Sequence, residues 1–138
     1  MGKPLPSLDL QITPRYVEVD RMGVVHHSHY FVYFEMGRTE LLRGTGVNYD
    51  QLEAKGVFFV VAEISCQFKL PAHYDDSLIL TTRMTRLRRA GIEHQYELRR
   101  ADQSKPICQA NSTIACVDRN GRLQVIPDWL TEEIKRGE

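Results

Sequence analysis

The chain has 138 residues, its 18 basic side chains are balanced by 18 acidic ones, and 42% of its residues are hydrophobic. These values are typical of one globular domain with its own core, so we predict a single domain over residues 1–138. The zero net charge gives no indication of binding to nucleic acid, and no apolar run approaches the length of a membrane span.

The first predicted element is a strand over residues 8–19. Leu8, Leu10 and Ile12 alternate with polar residues, which is the period of a strand with one buried face. Pro14 has no N–H to donate to a neighbouring strand. We therefore expect this strand to lie at a sheet edge or to contain a bulge.

The pattern changes to a helical period over residues 29–43. Ser28 is a suitable N-cap for this helix, and Gly44 or Gly46 is a suitable end. The residues that form and widen its apolar face are Tyr30, Phe31, Phe34, Gly37, Leu41 and Leu42. Because this face is wider than that of a typical surface helix, we predict a largely buried helix.

A strand-rich remainder follows a short second helix, which Asn48 caps and Gly56 ends. In the first predicted strand of this remainder every even residue from Phe58 to Leu70 is apolar, which predicts that the even residues face the core. The strands are predicted at residues 57–70, 77–88, 91–100 and 105–118, with a short returning strand at 123–126 and a final helical turn or two at 127–136.

The order of elements is therefore a strand, a long apolar helix, and then four or five antiparallel strands. A sheet can cover a helix that is apolar on most sides only by wrapping around it. We predict an α+β fold in which an antiparallel sheet of five or six strands wraps around a long central helix. A flank of the helix that the sheet leaves open would be covered by a second subunit, so we also predict a dimer.

Asp20 lies in the polar turn between the first strand and the long helix. The unpaired N–H groups at a helix start carry a partial positive charge. A carboxylate beside such donors can act as a base or nucleophile while the donors stabilise a developing oxyanion. Aspartate is also common in turns for purely structural reasons, so Asp20 taken alone leaves both roles open.

The segment from Tyr16 to Arg43 contains the pattern Asp-x-x-Gly-Val-Val-x-His-x-x-Tyr, followed by Tyr-Phe-Glu-x-Gly-Arg at residues 33–38. This segment resembles the 4-hydroxybenzoyl-CoA thioesterase family, and within it the Tol-Pal-associated, YbgC-like acyl-CoA thioesterases. The order of elements over the whole chain agrees with the hotdog fold of that family, although the later strands match only in pattern. The resemblance implies an acyl-CoA thioesterase.

The resemblance also implies roles for residues of the motif. Asp20 matches the catalytic carboxylate of the family, and the backbone N–H of His27 matches the donor to the thioester oxygen. Tyr16 matches a tyrosine that lines the same pocket, and we expect Tyr30 to shape the acyl pocket with it. We expect Val25 and His26 to line the turn at the site.

A basic run crosses the predicted hairpin between the third and fourth strands, and it consists of Arg83, Arg86, Arg88 and Arg89. Arginine binds phosphate well, so this run could hold the phosphates of CoA, with Arg88 and Arg89 beside the turn as the best candidates. It could equally be a solvated strand face. The sequence leaves both interpretations open.

The family forms dimers or tetramers with the thioester at a subunit interface, and it needs no metal and no cofactor beyond the CoA of its substrate. The expected partners of this chain are accordingly an acyl-CoA substrate and further copies of itself, as a homodimer or homotetramer. We expect neither nucleic acid binding nor membrane insertion.

Two other groups of residues invite a catalytic interpretation. His26, His27 and His29 could bind a metal, but their spacing is irregular for one helix face and no cluster of carboxylates or cysteines lies nearby. Glu35 lies in mid-helix, where a neighbouring hotdog family has its catalytic glutamate. Because Asp20 already fills that role, we favour a buried, structural Glu35 that pairs with Arg38 or bonds to the following strand.

The three cysteines, Cys66, Cys108 and Cys116, are odd in number and have no C-x-x-C spacing. This pattern argues against a disulfide framework and a zinc site, and favours a reducing compartment, the cytoplasm. The cysteines fall on apolar strand faces, which indicates inert core residues.

The predicted reaction is the hydrolysis of an acyl-CoA to a carboxylic acid and CoA. Two alternatives remain at this point: a protein that binds acyl-CoA without cleaving it, and a hotdog dehydratase or hydratase. The sequence does not identify the acyl group, the number of subunits or the choice between base and nucleophile for Asp20.

Overall fold

Five antiparallel strands and three α-helices make up the part of the chain that the structure, a computed structural model, describes, residues 4–136. The elements are β1 (Ser7–Ile12), a 3-10 turn (Tyr16–Glu18), α1 (His27–Arg43), α2 (Tyr49–Ala54), β2 (Phe58–Phe68), β3 (Leu78–Leu87), β4 (Gly91–Arg100), β5 (Pro106–Val117) and α3 (Asp128–Arg136). The strands form one sheet in the order β1-β3-β4-β5-β2. The ends of the predicted domain, residues 1 and 138, lie outside the described range.

Strands β4 and β5 alternate as the sequence predicts. Along β4 the residues on one face, Ile92, His94, Tyr96 and Leu98, are buried, and along β5 Cys108, Ala110, Ile114 and Cys116 are buried. Most of these side chains form the core with the buried face of α1, around Tyr33 and Phe34 in one cluster and around Leu41 and Leu42 in another. A five-stranded antiparallel sheet packed on one long helix is a hotdog fold, so the predicted α+β class is confirmed.

One face of α1 stays exposed in the single chain. Val32 and Met36 are 45% and 43% exposed, and Glu35 lies between them on the same face. The prediction of a largely buried helix is therefore wrong for one chain, because the sheet covers only the side that carries Tyr30, Phe34 and Leu41. An exposed apolar face of this kind is available to a second subunit.

The first strand and the helix start differ from their predicted bounds. The strand β1 ends at Ile12, not at residue 19, since Pro14 offers no ladder N–H and the chain turns at Tyr16–Glu18. The helix α1 begins two residues earlier than predicted. Its N-cap is His26, whose Nδ1 accepts a hydrogen bond from the Ser28 amide at 3.2 Å, so Ser28 lies in the first turn.

A β-bulge in β2 divides the predicted alternation of that strand. After the bulge, the even residues Ile64, Cys66 and Phe68 pair with buried positions of β5, as predicted. Before it, Phe59 and Val61 take the inward positions, because one extra residue reverses the faces. The prediction is thus wrong for the first half of β2.

The predicted returning strand at residues 123–126 is reduced to a single bridge between Val117 and Leu123. The helix predicted over residues 127–136 is present as α3, where Leu130 and Ile134 are buried. None of the helices in the described range is long and apolar enough to cross a membrane.

At Gly37 the helix α1 packs closely on β3. A Cβ at this position would overlap the Thr82 hydroxyl and lie 2.9 Å from Leu80 Cδ2. We expect Gly37→Ala to lower the free energy of unfolding by about 2 kcal/mol, because the overlap outweighs the helix propensity that alanine adds. Urea denaturation measures this change.

The matched control for Gly37→Ala is Gly44→Ala. Gly44 has right-handed helical backbone angles, and an added Cβ would meet no atom closer than 3.4 Å, so we expect a change within about 0.5 kcal/mol. Thr82→Ala should relieve most of the overlap, because it removes the hydroxyl that the new Cβ would meet. The substitution breaks no hydrogen bond, since this hydroxyl has no partner within the described residues. A Gly37→Ala variant as stable as the parent protein would contradict this packing.

Candidate active site

The segment that carries Asp20 folds back on itself and against the start of α1. The Asp20 amide donates to the Val24 carbonyl at 2.9 Å, and Val19 pairs with Val25 in an antiparallel bridge. Gly23 closes the turn with a φ of 78°, a conformation that glycine adopts without strain. The chain between Asp20 and the helix is therefore a short, ordered loop.

The two carboxylate oxygens of Asp20 have different environments. Oδ1 accepts hydrogen bonds from the amides of Met22 at 2.8 Å and Val24 at 3.4 Å. Oδ2 has no protein donor among residues 4–136. One oxygen thus stabilises the turn while the other remains available to water or to a ligand.

A second turn in the chain repeats these bonds at the other end of β5, away from the start of α1. Asp118 Oδ1 accepts from the amides of Asn120 at 2.8 Å and Arg122 at 3.0 Å, and Gly121 has a φ of 79°. The hydrogen bonds of Asp20 are therefore those of an ordinary Asp-x-x-Gly turn. What distinguishes Asp20 is its location beside a helix start and a cleft.

The amides at the start of α1 are almost all occupied. The Val25 amide donates to the Ala72 carbonyl at 2.7 Å and the His26 amide to the Glu18 carbonyl at 3.0 Å. The Ser28 and His29 amides bond to the side chain and carbonyl of His26. Within the described range only the His27 amide of this group lacks a protein acceptor, and it lies at the positive end of the helix.

A cleft of about 380 Å³ contains Asp20 and the helix start together. Five of the residues predicted for the site line it: Asp20, Val25, His26, His27 and Tyr30. The remaining lining residues are Val24, Phe68, Lys69, Leu70 and Pro71, and sequence reasoning did not assign them to the site. The cleft therefore joins the motif to the end of β2, which is distant in sequence.

Two aromatic side chains, Tyr30 and Phe68, line one part of the cleft. Tyr30 is buried, and its ring lies 5.5 Å from the ring of Phe68. Burial raises the pKa of Tyr30 to about 12, so its hydroxyl stays protonated at neutral pH. The polar groups of Asp20 and His27 thus lie beside an apolar wall, which is the usual composition of a small-molecule site.

Three of the predicted site residues lie outside this cleft. Tyr16 is 76% exposed and packs edge-on against Tyr74. The strand β3 has 10 residues and is therefore about 30 Å long. The segment that lines the cleft, residues 69–71, precedes one end of this strand, and Arg88 and Arg89 follow the other end. Arg88 pairs with Glu93 on β4. Within one chain these arginines are therefore remote from Asp20. A different basic residue, Lys69, lines the cleft.

The other candidate groups do not form a second catalytic arrangement within residues 4–136. The ring centroids of His26 and His27 lie 4.2 Å apart with the rings tilted by 31°. No group of three or more histidine, cysteine or acidic side chains within residues 4–136 is placed to bind a metal. Glu35 lies about two turns from the helix start, is exposed, and lines a separate cavity with Arg38. The predicted pairing of these two residues is wrong within residues 4–136, because Arg38 donates instead to the Tyr96 hydroxyl at 3.0 Å. Burial raises the pKa of the thiols of Cys66, Cys108 and Cys116, which disfavours the nucleophilic thiolate.

The chain is similar in sequence to known thioesterases. The family model described as "Thioesterase-like superfamily" matches residues 14–134 of this chain. The acyl-CoA thioester hydrolase YbgC of Escherichia coli O157:H7 is 31% identical over 122 residues, which are 88% of this chain and 90% of that protein. The acyl-CoA thioesterase YbgC of Haemophilus influenzae is 33% identical over 106 residues, 75% of each chain.

A solved structure extends the similarity to three dimensions. The crystal structure of a hypothetical protein from Thermus thermophilus matches this chain with a TM-score of 0.86 and 31% identity. The match covers 94% of this chain and 98% of that one. The described fold is therefore shared over nearly its full length.

Proposed function

The chain belongs to the thioesterase-like superfamily and is a thioester hydrolase, and we propose that it cleaves an acyl-CoA with Asp20 and the His27 amide as its catalytic groups. The observation that carries this proposal is the pairing of two unused groups in one cleft. The Oδ2 atom of Asp20 and the N–H of His27 both lack protein partners within residues 4–136, and both residues line the cleft.

The proposed chemistry uses each group once. Asp20 takes a proton from water, the hydroxide oxygen bonds to the thioester carbon, and the His27 amide stabilises the oxyanion. Collapse of the oxyanion breaks the C–S bond and releases CoA thiolate. Thiols have pKa values of about 8.5, so the thiolate leaves without a strong general acid. The reaction needs no cofactor beyond the CoA of the substrate.

A second route uses the same two groups. Asp20 attacks the thioester carbon itself, CoA thiolate leaves, and water then hydrolyses the mixed anhydride and restores the carboxylate. Both routes place the carbonyl oxygen at the His27 amide. Val25, His26 and Tyr30 then line the acyl side of the site, and Tyr16 lies on the exposed segment before Asp20.

The proposed assembly is a homodimer, or a homotetramer built from two dimers. The strand β2 is a sheet edge of 11 residues, on which Val60, Val61 and Phe68 are about half exposed. Long apolar edges are normally covered, and the exposed face of α1 adds to this surface. Since Arg88 and Arg89 are remote from the cleft of their own chain, their proposed contact with CoA phosphates requires a neighbouring subunit.

A hydrolysis assay over a panel of thioesters tests the proposed function. Short, long and aromatic acyl-CoAs should be compared, with released CoA thiol as the readout, and we expect turnover of at least one class. Saturable binding of every thioester without thiol release would indicate a binding protein. Hydration of enoyl-CoA without thiol release would indicate a hydratase.

The proposed location, the cytoplasm, agrees with three unpaired cysteines.

A further inference from the structure

Glu18 is the only buried carboxylate in the described part of the chain, with 4% of its surface exposed. It lies two residues before Asp20 and is absent from the lining of the cleft. A buried charge is costly unless other groups bond to it, so its surroundings indicate what it does.

Four donors satisfy the Glu18 carboxylate. The Tyr33 hydroxyl donates to Oε1 at 2.6 Å, and the Arg15 amide donates to the same oxygen at 2.9 Å. The Arg15 guanidinium bonds to Oε2 through Nε at 3.0 Å and Nη2 at 2.9 Å. Burial alone would raise the pKa of Glu18, but these donors lower it below its usual value, so the group is a fixed anion at neutral pH.

These bonds connect the two halves of the proposed active site. Tyr33 lies on the buried face of α1, six residues after His27, and the Glu18 side chain therefore holds the loop to the helix. The Glu18 carbonyl accepts from the His26 amide at 3.0 Å, which attaches the same residue to the position directly before His27. Asp20 and His27 are thus both held through Glu18.

We propose that Glu18 is a positioning residue, whose bond to Tyr33 fixes the Asp20 carboxylate relative to the His27 amide. This inference rests on the proposed function of those two groups. A displacement of about 1 Å between reacting groups can lower a rate by about 100-fold. Tyr33 lies on the helix that supplies the His27 amide. Its bond to the Glu18 carboxylate would therefore prevent such a displacement of Asp20.

The test compares two tyrosines that each lose one buried hydroxyl. Tyr33→Phe removes the donor to Glu18. Tyr96→Phe removes a hydroxyl that bonds to Arg38 at 3.0 Å and Ser112 at 2.7 Å, outside the cleft. We expect both variants to lose similar stability in urea denaturation. Only Tyr33→Phe should lower kcat, by roughly 10- to 100-fold, with KM within twofold of the parent value.

Substitutions of Glu18 give an independent readout. Glu18→Gln keeps an oxygen that can accept from Tyr33, and Glu18→Ala removes it, so we expect Gln to retain a clearly higher kcat than Ala. Equal kcat losses in Tyr33→Phe and Tyr96→Phe, or no loss in either, would overturn the positioning role. Failure of the proposed function would differ, because Asp20→Asn would then hydrolyse thioesters as fast as the parent protein.

Discussion

Asp20→Asn is expected to lower kcat for acyl-CoA hydrolysis by about 10³-fold while the protein remains folded. The asparagine Oδ1 can still accept from the Met22 and Val24 amides, so the turn should persist. The amide group that replaces Oδ2 is neither a base nor a nucleophile at neutral pH. Steady-state release of CoA thiol measures the loss of kcat, and urea denaturation measures whether the fold persists.

Asp118→Asn is the matched control for that substitution. Asp118 makes the same two amide contacts in the same kind of turn, with glycine at the corresponding position, but lies at the hairpin after β5. We expect Asp118→Asn to change stability about as much as Asp20→Asn and to leave kcat unchanged. Equal kcat losses in the two variants would mean that Asp20 acts only as a turn residue.

Replacing His27 by proline is expected to lower kcat about 10²- to 10³-fold, because proline removes the backbone N–H that stabilises the oxyanion. The position suits proline unusually well. His27 is the first residue of α1, where proline is favoured, and His26 has extended backbone angles of −67° and 140°, which a following proline requires. Urea denaturation should therefore show a stability close to that of the parent protein.

His27→Ala separates the backbone of this residue from its side chain. Alanine removes the imidazole and keeps the N–H, so we expect a loss in kcat of less than about 10-fold, far smaller than the loss for proline. A collapse of kcat in His27→Ala as severe as that in Asp20→Asn would assign the catalytic role to the imidazole. Full activity in a folded His27→Pro would remove the amide from the mechanism.

The fold could be predicted where one rule governed a whole element. The alternation holds along β4 from Ile92 to Leu98 and along β5 from Cys108 to Cys116, and the caps of α2 at Asn48 and Gly56 are local signals, so these elements were predicted well. The bulge in β2 depends on pairing with β5, which the sequence of one strand does not reveal. The early end of β1 depends on how the turn at Tyr16–Glu18 meets α1.

The candidate site could be predicted only as far as it is local in sequence. Residues from Asp20 to Tyr30 form one continuous motif, and the structure brings five predicted residues into one cleft. Phe68 and Lys69 reach the cleft through the sheet topology, which residue types alone do not specify. Glu18 gave one signal, a charged residue between two valines before the turn, but its partner Tyr33 lies on another element.

The most direct measurement is the structure of the protein with an unreactive acyl-CoA analogue, in which a methylene group separates the carbonyl from the CoA sulfur. We expect the carbonyl oxygen to lie about 3 Å from the His27 nitrogen, with the carbonyl carbon facing the free oxygen of Asp20. An analogue bound with its carbonyl away from both groups, while the parent protein hydrolyses the matching thioester, would contradict the proposed mechanism.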